Sequence, residues 1–111
     1  MALLAGDILP TKMSAYQLFM KEGGEIYKKF SDFVSTLDEH PHPDKKTKHL
    51  IYIGVQTALG NATAVKAHIP MALEGGATED EIFGSMLVTI PAAGMNGLMS
   101  CLPAALEALK K

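Results

Sequence analysis

The stretch KTKHLIYIGVQTALGNATAVKAHIPMALEGGATEDEI, from Lys46 to Ile82, decides the fold of this 111-residue chain. Its apolar residues recur at three- and four-residue steps on both sides of Gly60, which is the spacing of amphipathic helices. Gly60 stands where a helix commonly ends in the left-handed conformation, and Asn61 can cap a new helix. The stretch therefore predicts one helix over Lys45–Leu59 and a second that ends at Gly75-Gly76.

A capping box marks the start of the next helix. The hydroxyl of Thr78 and the carboxylate of Glu81 can each accept a hydrogen bond from the other residue's backbone N–H. This pair predicts a helix from Glu79 to about Ala93, followed by a turn at Gly94–Gly97 and a last helix that runs to Leu109.

Upstream of the stretch, apolar residues also recur at helical spacing. Gly23 and Gly24 each weaken that helix by roughly 1 kcal/mol relative to alanine, so it starts late or bends there. The prolines of His40-Pro41-His42-Pro43 end the helix, and Asp44 can cap the next one. No segment alternates polar and apolar residues as a strand does, so we expect an all-α protein of about five to six helices. The apolar positions are Tyr16, Phe19, Met20, Ile26, Tyr27, Phe30, Phe33, Val34 and Leu37.

Composition limits the class of protein. The apolar fraction of 48% suits one ordinary core, so we expect a single domain over residues 1–111. A net charge of −2 gives no general positive field for nucleic acid or an anionic membrane. The single cysteine, Cys101, cannot form an internal disulfide, which favours the reducing cytoplasm. The apolar run at residues 1–5 is interrupted by Asp7 and has no basic region, so we do not expect a signal peptide.

No charged residue occurs from Ile82 to Leu106, a stretch long enough to cross a bilayer. Pro91, Pro103 and several glycines interrupt it, so a buried helical hairpin fits better than a membrane span. A helix that is apolar on both faces needs cover on all sides, and a chain of this size has few elements to provide it. We therefore expect a homo-oligomer, a trimer or a hexamer.

The quoted stretch resembles the central signature of the carboxymuconolactone decarboxylase and AhpD-like alkylhydroperoxidase family. In that family a K-T-[RK]-x-L-I helix leads through a glycine to a helix that ends in A-H-x-x-x-A-L-x-x-G-A-T-x-x-E-I. Spacing kept across three elements is more restrictive than a short motif, so the resemblance implies the helical fold of the family. The matching elements are Lys46-Thr47-Lys48, Leu50-Ile51, Gly60, Ala67-His68, Ala72-Leu73, Gly76-Ala77-Thr78 and Glu81-Ile82.

The resemblance implies two chemistries, and the residues favour one of them. In the AhpD-like branch a glutamate, two cysteines and a histidine form a proton relay with the spacing E-x11-C-x2-C-x3-H. The corresponding residues here are His49, Asn61, Ala64 and His68, so only the histidine is kept. Disulfide exchange needs two thiols, and Cys101, in the apolar last helix, is expected to be inert packing. We expect no thiol peroxidase activity, although an AhpD-like antioxidant function stays an alternative.

The lactone decarboxylase branch resembles this chain because it uses no cysteine pair and keeps a histidine at the position of His68. Protonating a dienolate derived from a lactone needs an acid or base of near-neutral pKa, which suits histidine. The resemblance implies His68 as general acid or base, His49 as its proton partner and Asn61 as a hydrogen-bond donor to a small carboxylated or lactone-like substrate. That branch has an aromatic-Ala-Gly-x-Pro element on a later helix. The corresponding residues here are Ala92-Ala93-Gly94-Met95-Asn96, which lack the tyrosine and the proline, so the identity of the substrate stays open.

Two further side chains are candidate substrate contacts. Tyr52 is three residues beyond His49 and can reach the same space. Met95, with Met86 and Met99, can line an adaptable apolar pocket. Packing in the core or between subunits explains both the tyrosine and the methionines equally well.

Neither a metal nor a cofactor is expected. His49 and His68 can ligate a metal, but catalytic zinc usually takes three protein ligands. His40 and His42 alternate with prolines, as in a solvated connector. The lysines at 45, 46 and 48 can attract a carboxylate, or they form a solvated face.

The plainer interpretation of His68 is a hydrogen-bonded core histidine with His49 as its polar neighbour. A non-catalytic ligand-binding oligomer, which keeps the fold without the chemistry, is a third possible function.

Overall fold

Helices form all of the regular secondary structure in residues 13–110, the part of the chain that the computed structural model describes. The all-α class predicted from the sequence is confirmed. The prediction about a signal peptide falls on residues 1–10, which lie outside the described part. The helices are α1 (Ala15–Glu22), α2 (Gly24–Glu39), α3 (Lys45–Leu59), α4 (Ala62–Glu74), α5 (Glu79–Leu87), α6 (Ile90–Ala93) and α7 (Asn96–Lys110).

The chain divides into two compact units between His40 and Pro41. The first unit contains α1 and α2, which the sequence predicts as one helix. The break falls at the predicted glycines, because Gly24 adopts a φ of 55°, a conformation that residues with side chains rarely take. Across the break the rings of Phe19 and Tyr27 meet edge to face, with centroids 5.3 Å apart. No described residue of either helix is buried, and a single domain for the whole chain stays a prediction.

Side-chain caps begin the first three helices of the second unit, as the sequence predicts. Asp44 and Asn61 accept hydrogen bonds from the backbone N–H three residues further on, at 2.9 and 3.1 Å. Thr78 and Glu81 form the reciprocal pair, at 3.0 and 2.9 Å. These side chains satisfy backbone donors that the first turn of a helix leaves without a partner.

The turn between α3 and α4 is as short as predicted. α3 ends at Leu59, and Gly60 follows with a φ of 74° in the left-handed region. Asn61 then caps α4, so only these two residues connect the helices. The two helices pack against each other along their length, and this hairpin carries the candidate site described below.

The helix predicted from Glu79 to Ala93 is divided in the structure. α5 ends at Leu87, and α6 begins at Ile90. Pro91 explains the break, because a proline has no N–H to bond to the carbonyl of Leu87 and its ring would collide with that carbonyl. The predicted end of this helix, Ala93, is therefore six residues too late.

The core of the second unit is formed by α3, α4, α5 and α7 together with the loop residue Ala77. α3 and α7 approach closely at Gly97, where a Cβ would overlap the carbonyl oxygen of Thr57. The Thr57 hydroxyl is satisfied within its own helix by donating to the carbonyl of Ile53, at 2.8 Å. The buried core residues are Ile53, Val65, Ile69, Ala72, Ala77, Ile82, Met86, Leu98, Cys101 and Ala105.

The uncharged stretch from Ile82 to Leu106 is distributed over three helices, α5, α6 and α7. Within residues 13–110, no helix combines the length and the apolar character needed to cross a membrane. The expected helical hairpin therefore accounts for the missing charges, with a short extra helix at its break.

Candidate functional site

The hairpin of α3 and α4 brings together three of the predicted site residues, His49, Tyr52 and His68. His49 and Tyr52 lie one turn apart on α3 and therefore share a face of that helix. Tyr52 and His68 are equidistant from Gly60 along the chain, so the hairpin places them opposite each other. The two-residue turn thus determines which side chains meet.

His68 contacts both partners through different parts of its ring. Its Nδ1 lies 3.4 Å from Nδ1 of His49, and the centroids of the two rings are 5.5 Å apart. The ring of Tyr52 stacks on the His68 ring with centroids 3.7 Å apart and an angle of 22° between the planes. Because Nδ1 is directed at His49, Nε2 is the ring nitrogen of His68 that remains for another partner.

The two histidines differ in burial. His49 is only 9% exposed, whereas His68 is half-buried. His49 lies one turn before the wholly buried Ile53 and shares the inner face of α3 with it. The plainer interpretation places His68 in the core with His49 as its polar neighbour. In the structure His49 is the buried histidine, and His68 is only half-buried.

Burial lowers the pKa of His68 below its ordinary value of 6.5, and repulsion from the neighbouring His49 lowers it further. The ring is therefore mainly neutral at pH 7. A neutral imidazole has one nitrogen that donates and one that accepts, and the contact with His49 influences which nitrogen carries the proton. The pair can hold a proton and pass it between its members.

Asn61 lies at the end of the hairpin, two helical turns before His68, which corresponds to about 10 Å along the helix. Its Oδ1 caps α4 by accepting from the backbone N–H of Ala64. Its Nδ2 group is not used by the cap, so the predicted role as a donor is chemically compatible with the capping. The structure does not bring Asn61 next to the histidines.

The three methionines that could line a pocket are separated. Met86 is wholly buried in the core. Met95 and Met99, in contrast, are about half exposed at the start of α7. Met95 has no described contact with the histidine pair, and its role as a substrate contact stays a prediction.

A shallow apolar groove of about 450 Å³ lies on the other side of α3 from the histidine pair. With 3.6 residues per turn, the α3 residues that line it point away from His49, and Val55, one turn after Tyr52, forms the edge of the groove nearest to Tyr52. None of the predicted site residues lines this groove. Its lining consists of Thr47, Leu50, Ile51, Gly54, Val55, Ala58, Ser85, Val88, Thr89 and Ala92.

Cys101 is buried in the core, as the sequence predicts. Its Sγ donates a weak hydrogen bond to the backbone carbonyl of Gln56, at 3.9 Å, and burial raises the pKa of the thiol. Gln56 itself was not singled out in the sequence, yet its Oε1 is buried and has no hydrogen-bond partner among the described residues. Its position one turn beyond Tyr52 on α3 is the signal that could have drawn attention to it.

Two of the three candidate lysines form ion pairs with carboxylates. Lys45 and Lys46 form exposed ion pairs with Glu74, at 3.8 Å, and with Glu81, at 3.1 Å. These pairs reduce the positive charge that the predicted lysine cluster could offer to a carboxylate.

His40 and His42 are both exposed beside the helix that ends at Glu39, as expected for a connector. Within the described range, no three His, Cys, Asp or Glu side chains gather so as to hold a metal ion.

Comparison with known proteins identifies the family. The model of the carboxymuconolactone decarboxylase family matches residues 24–107, which is more than half of the chain and includes the whole α3–α4 hairpin. A search of curated proteins and a search of solved structures each gave no match. The chain belongs to the carboxymuconolactone decarboxylase family.

Proposed function

We propose that this protein acts on a small carboxylated or lactone-like metabolite by acid–base chemistry at His68, without redox cysteines. His49 serves as the proton partner of His68. The observation that carries the proposal is the 3.4 Å approach of the two Nδ1 atoms, which leaves Nε2 of His68 for the substrate. Contacts of this kind are often long before substrate binds and shorten in the reacting complex.

The proton path follows from the two nitrogens of each ring. When the bond from the substrate to its carboxylate breaks, CO₂ leaves and the bonding electrons form a dienolate. Nε2–H of His68 then gives its proton to the dienolate carbon while Nδ1 of His68 takes the Nδ1 proton of His49, which enters the step with a proton on both ring nitrogens and leaves it neutral. In the reverse sense, neutral His68 removes a proton at Nε2 and passes its Nδ1 proton to His49. The lowered pKa of His68 keeps its ring neutral near pH 7, which is the state in which it removes a proton.

The other predicted residues are proposed as substrate contacts. Tyr52 borders the reacting nitrogen, since its ring lies on that of His68. Asn61 is a donor at the far end of the substrate, given that two helical turns separate it from His68. Met95 is proposed as an apolar contact because its side chain is half-exposed.

We also propose that the protein is a cytoplasmic homo-oligomer, a trimer or a hexamer. Large apolar side chains on several helices support this, because a soluble monomer rarely leaves so many in contact with water. Ile26, Leu59 and Val88 are each at least 70% exposed. Native mass spectrometry tests the assembly, and a monomeric mass at micromolar concentration would contradict it.

The function is tested with a panel of carboxylated lactones that includes carboxymuconolactone. CO₂ release and deuterium uptake from D₂O into the product are followed together, so that decarboxylation and proton transfer are seen separately. We expect turnover by the unaltered protein. His68→Gln should lower the rate at least about 100-fold, which is the usual contribution of a general acid or base. His49→Gln should lower it by about tenfold, because His68 can then exchange protons with water.

His42→Gln is the matched control, because it changes an exposed histidine in the connector before α3. It should leave the rate unchanged. Full activity of His68→Gln would contradict the assigned role of His68, and an inactive protein across the whole panel would contradict the substrate class.

A second candidate function is supported by the groove on the other side of α3. Its apolar lining and its distance from the histidines suit a non-catalytic ligand-binding oligomer. In that case an apolar ligand binds with equal affinity to the unaltered protein and to His68→Gln, and Val88→Asp abolishes binding. Binding that depends on His68 would exclude this alternative.

A further inference from the structure

We infer that Tyr52 is a positioning residue, whose ring holds the imidazole of His68 in the plane that directs its Nδ1 at His49. This inference rests on the proposed function and adds to it, since a positioning role is separate from contact with a substrate. It follows from the geometry of three side chains on two helices.

Stacking restricts rotation of the His68 imidazole, and such rotation would break the contact between the two Nδ1 atoms that proton transfer needs. A histidine side chain on a helix can turn about its last bond, which has a broad torsional minimum. The ring of Tyr52 lies 3.7 Å from that of His68 and is nearly parallel to it, so rotation of the imidazole would drive it into the tyrosine ring. One face of His68 is thereby covered, and the ring plane is fixed.

The ring plane that the stack imposes on His68 is the plane in which its edge faces His49. His49 belongs to the buried inner face of α3, and its contact with His68 is made in the ring edge, between the Nδ1 atoms. A ring flip of His68 keeps the ring plane but presents carbon in place of Nδ1, so the stack fixes the plane and the Nδ1–Nδ1 contact selects between the two flips. Because His49 and Tyr52 are one turn apart on the same helix, α3 supplies both the proton partner and the residue that aims His68 at it.

The hydroxyl of Tyr52 takes no part in this role. Stacking depends on the aromatic ring, and Tyr52 is more than one-third exposed, so replacing it should not remove core packing. Tyr52→Phe keeps the ring and Tyr52→Leu removes it, while both lose the hydroxyl. The two variants therefore separate positioning of His68 from a hydrogen bond to the substrate.

The test uses the full chain labelled with ¹⁵N and needs no substrate. Long-range ¹H–¹⁵N spectra report the two ring nitrogens of His68, and the ring-current shift of its carbon-bound protons reports the stack. In the unaltered protein and in Tyr52→Phe we expect separate nitrogen signals and upfield-shifted protons. In Tyr52→Leu we expect the upfield shift to be lost and the nitrogen signals to move together. Ile51→Val, whose side chain lines the groove and points away from His49, should change neither signal.

Retention of the wild-type His68 spectrum in Tyr52→Leu, with unchanged helical circular dichroism, would overturn the inference. With a substrate that turns over, Tyr52→Leu should lower kcat at least about tenfold at nearly constant KM, because misplacing a catalytic group affects the reacting step. A rise in KM for both variants would assign Tyr52 to substrate binding alone. An intact His68 spectrum in a protein without turnover would count against the proposed function and leave the positioning role supported.

Discussion

His49 and His68 form a pair with an inner and an outer member. Their Nδ1 atoms are 3.4 Å apart, yet His49 is almost wholly buried and His68 is half-buried beside it. Of the two rings, His68 is therefore the more open to a proton from outside the pair. This order supports the assignment of His68 as the residue that meets the substrate and His49 as the residue behind it.

The first prediction concerns the titration of His68. Burial and the neighbouring His49 lower its pKa in the folded protein, so its NMR titration midpoint should lie below 6.5. As the pH falls, the unfolded chain takes up this proton before the folded chain does. The stabilising contribution is thus complete above pH 6.5 and is lost as the pH falls towards the folded pKa.

Urea unfolding of the unaltered protein and of His68→Gln, at about pH 8 and about pH 5.5, measures this loss. The free energy of unfolding should fall more between the two pH values for the unaltered protein than for the variant. Equal falls would mean that His68 does not respond to its surroundings as the structure implies.

Local signals in the sequence predicted much of the fold. α3 has the predicted limits, and the caps at Asp44, Asn61 and Thr78 all form, because each depends on residues within one turn. The break before α6 was not predicted from the sequence, although Pro91 lies just after it. A proline removes one backbone hydrogen bond, and a helix can either tolerate that loss or end there. Packing decides between those outcomes.

The site was predicted only in part. The resemblance to the family implied that His49 and His68 share a site, and the structure brings both together with Tyr52 across the short turn. The burial of His49 rather than His68 was not predictable, because it depends on which faces α7 and α5 cover. For the same reason nothing in the sequence indicated that the apolar groove would lie on the other side of α3.

The second prediction is that the Cys101 thiol is unreactive in the folded protein. Its Sγ is buried and burial raises its pKa, so little thiolate is present and reagents cannot reach it. A coloured disulfide reagent should label it at least about 100-fold more slowly in buffer than in denaturant. Reduction of an organic hydroperoxide with a dithiol as electron donor should remain at the background rate.

The AhpD-like antioxidant alternative makes the opposite prediction. Rapid labelling of the native thiol, with hydroperoxide turnover that Cys101→Ser abolishes, would support it. Cys101→Ala is the useful companion variant, because it removes the sulfur without burying a hydroxyl in its place.

The third prediction compares two glycines. A Cβ at Gly97 would overlap the carbonyl of Thr57, where α7 crosses α3, so Gly97→Ala forces the helices apart. We expect a loss of about 1–3 kcal/mol in the free energy of unfolding, as for overpacking in general. Gly84, in α5, has no neighbour within 4 Å of its Cβ position. Gly84→Ala should stabilise the protein by about 0.5–1 kcal/mol, because alanine favours the helix.

Both variants are compared by chemical denaturation at one protein concentration. The test is whether the free energy of unfolding changes in opposite directions for the two variants. A general effect of alanine would change it in the same direction for both. A stabilised Gly97→Ala protein would show that α3 and α7 do not approach as described.

The fourth prediction uses two isoleucines of α3 that are two residues apart. Ile53 is wholly buried in the core, and Ile51 is 54% exposed in the groove. Ile53→Ala should lower the free energy of unfolding by about 2–5 kcal/mol, because it removes buried methyl groups and leaves a cavity. Ile51→Ala should cost less than about 1 kcal/mol in a monomer, since little of its surface leaves water on folding.

The dependence on protein concentration extends this comparison to the proposed assembly. If the groove face is covered in the oligomer, Ile51→Ala should weaken assembly while Ile53→Ala acts mainly on folding. Thermal unfolding at several concentrations separates the two effects, because only coupled assembly makes the melting temperature depend on concentration. A loss of stability for Ile51→Ala that equals that of Ile53→Ala and is independent of concentration would mean that both side chains belong to the core of the single chain.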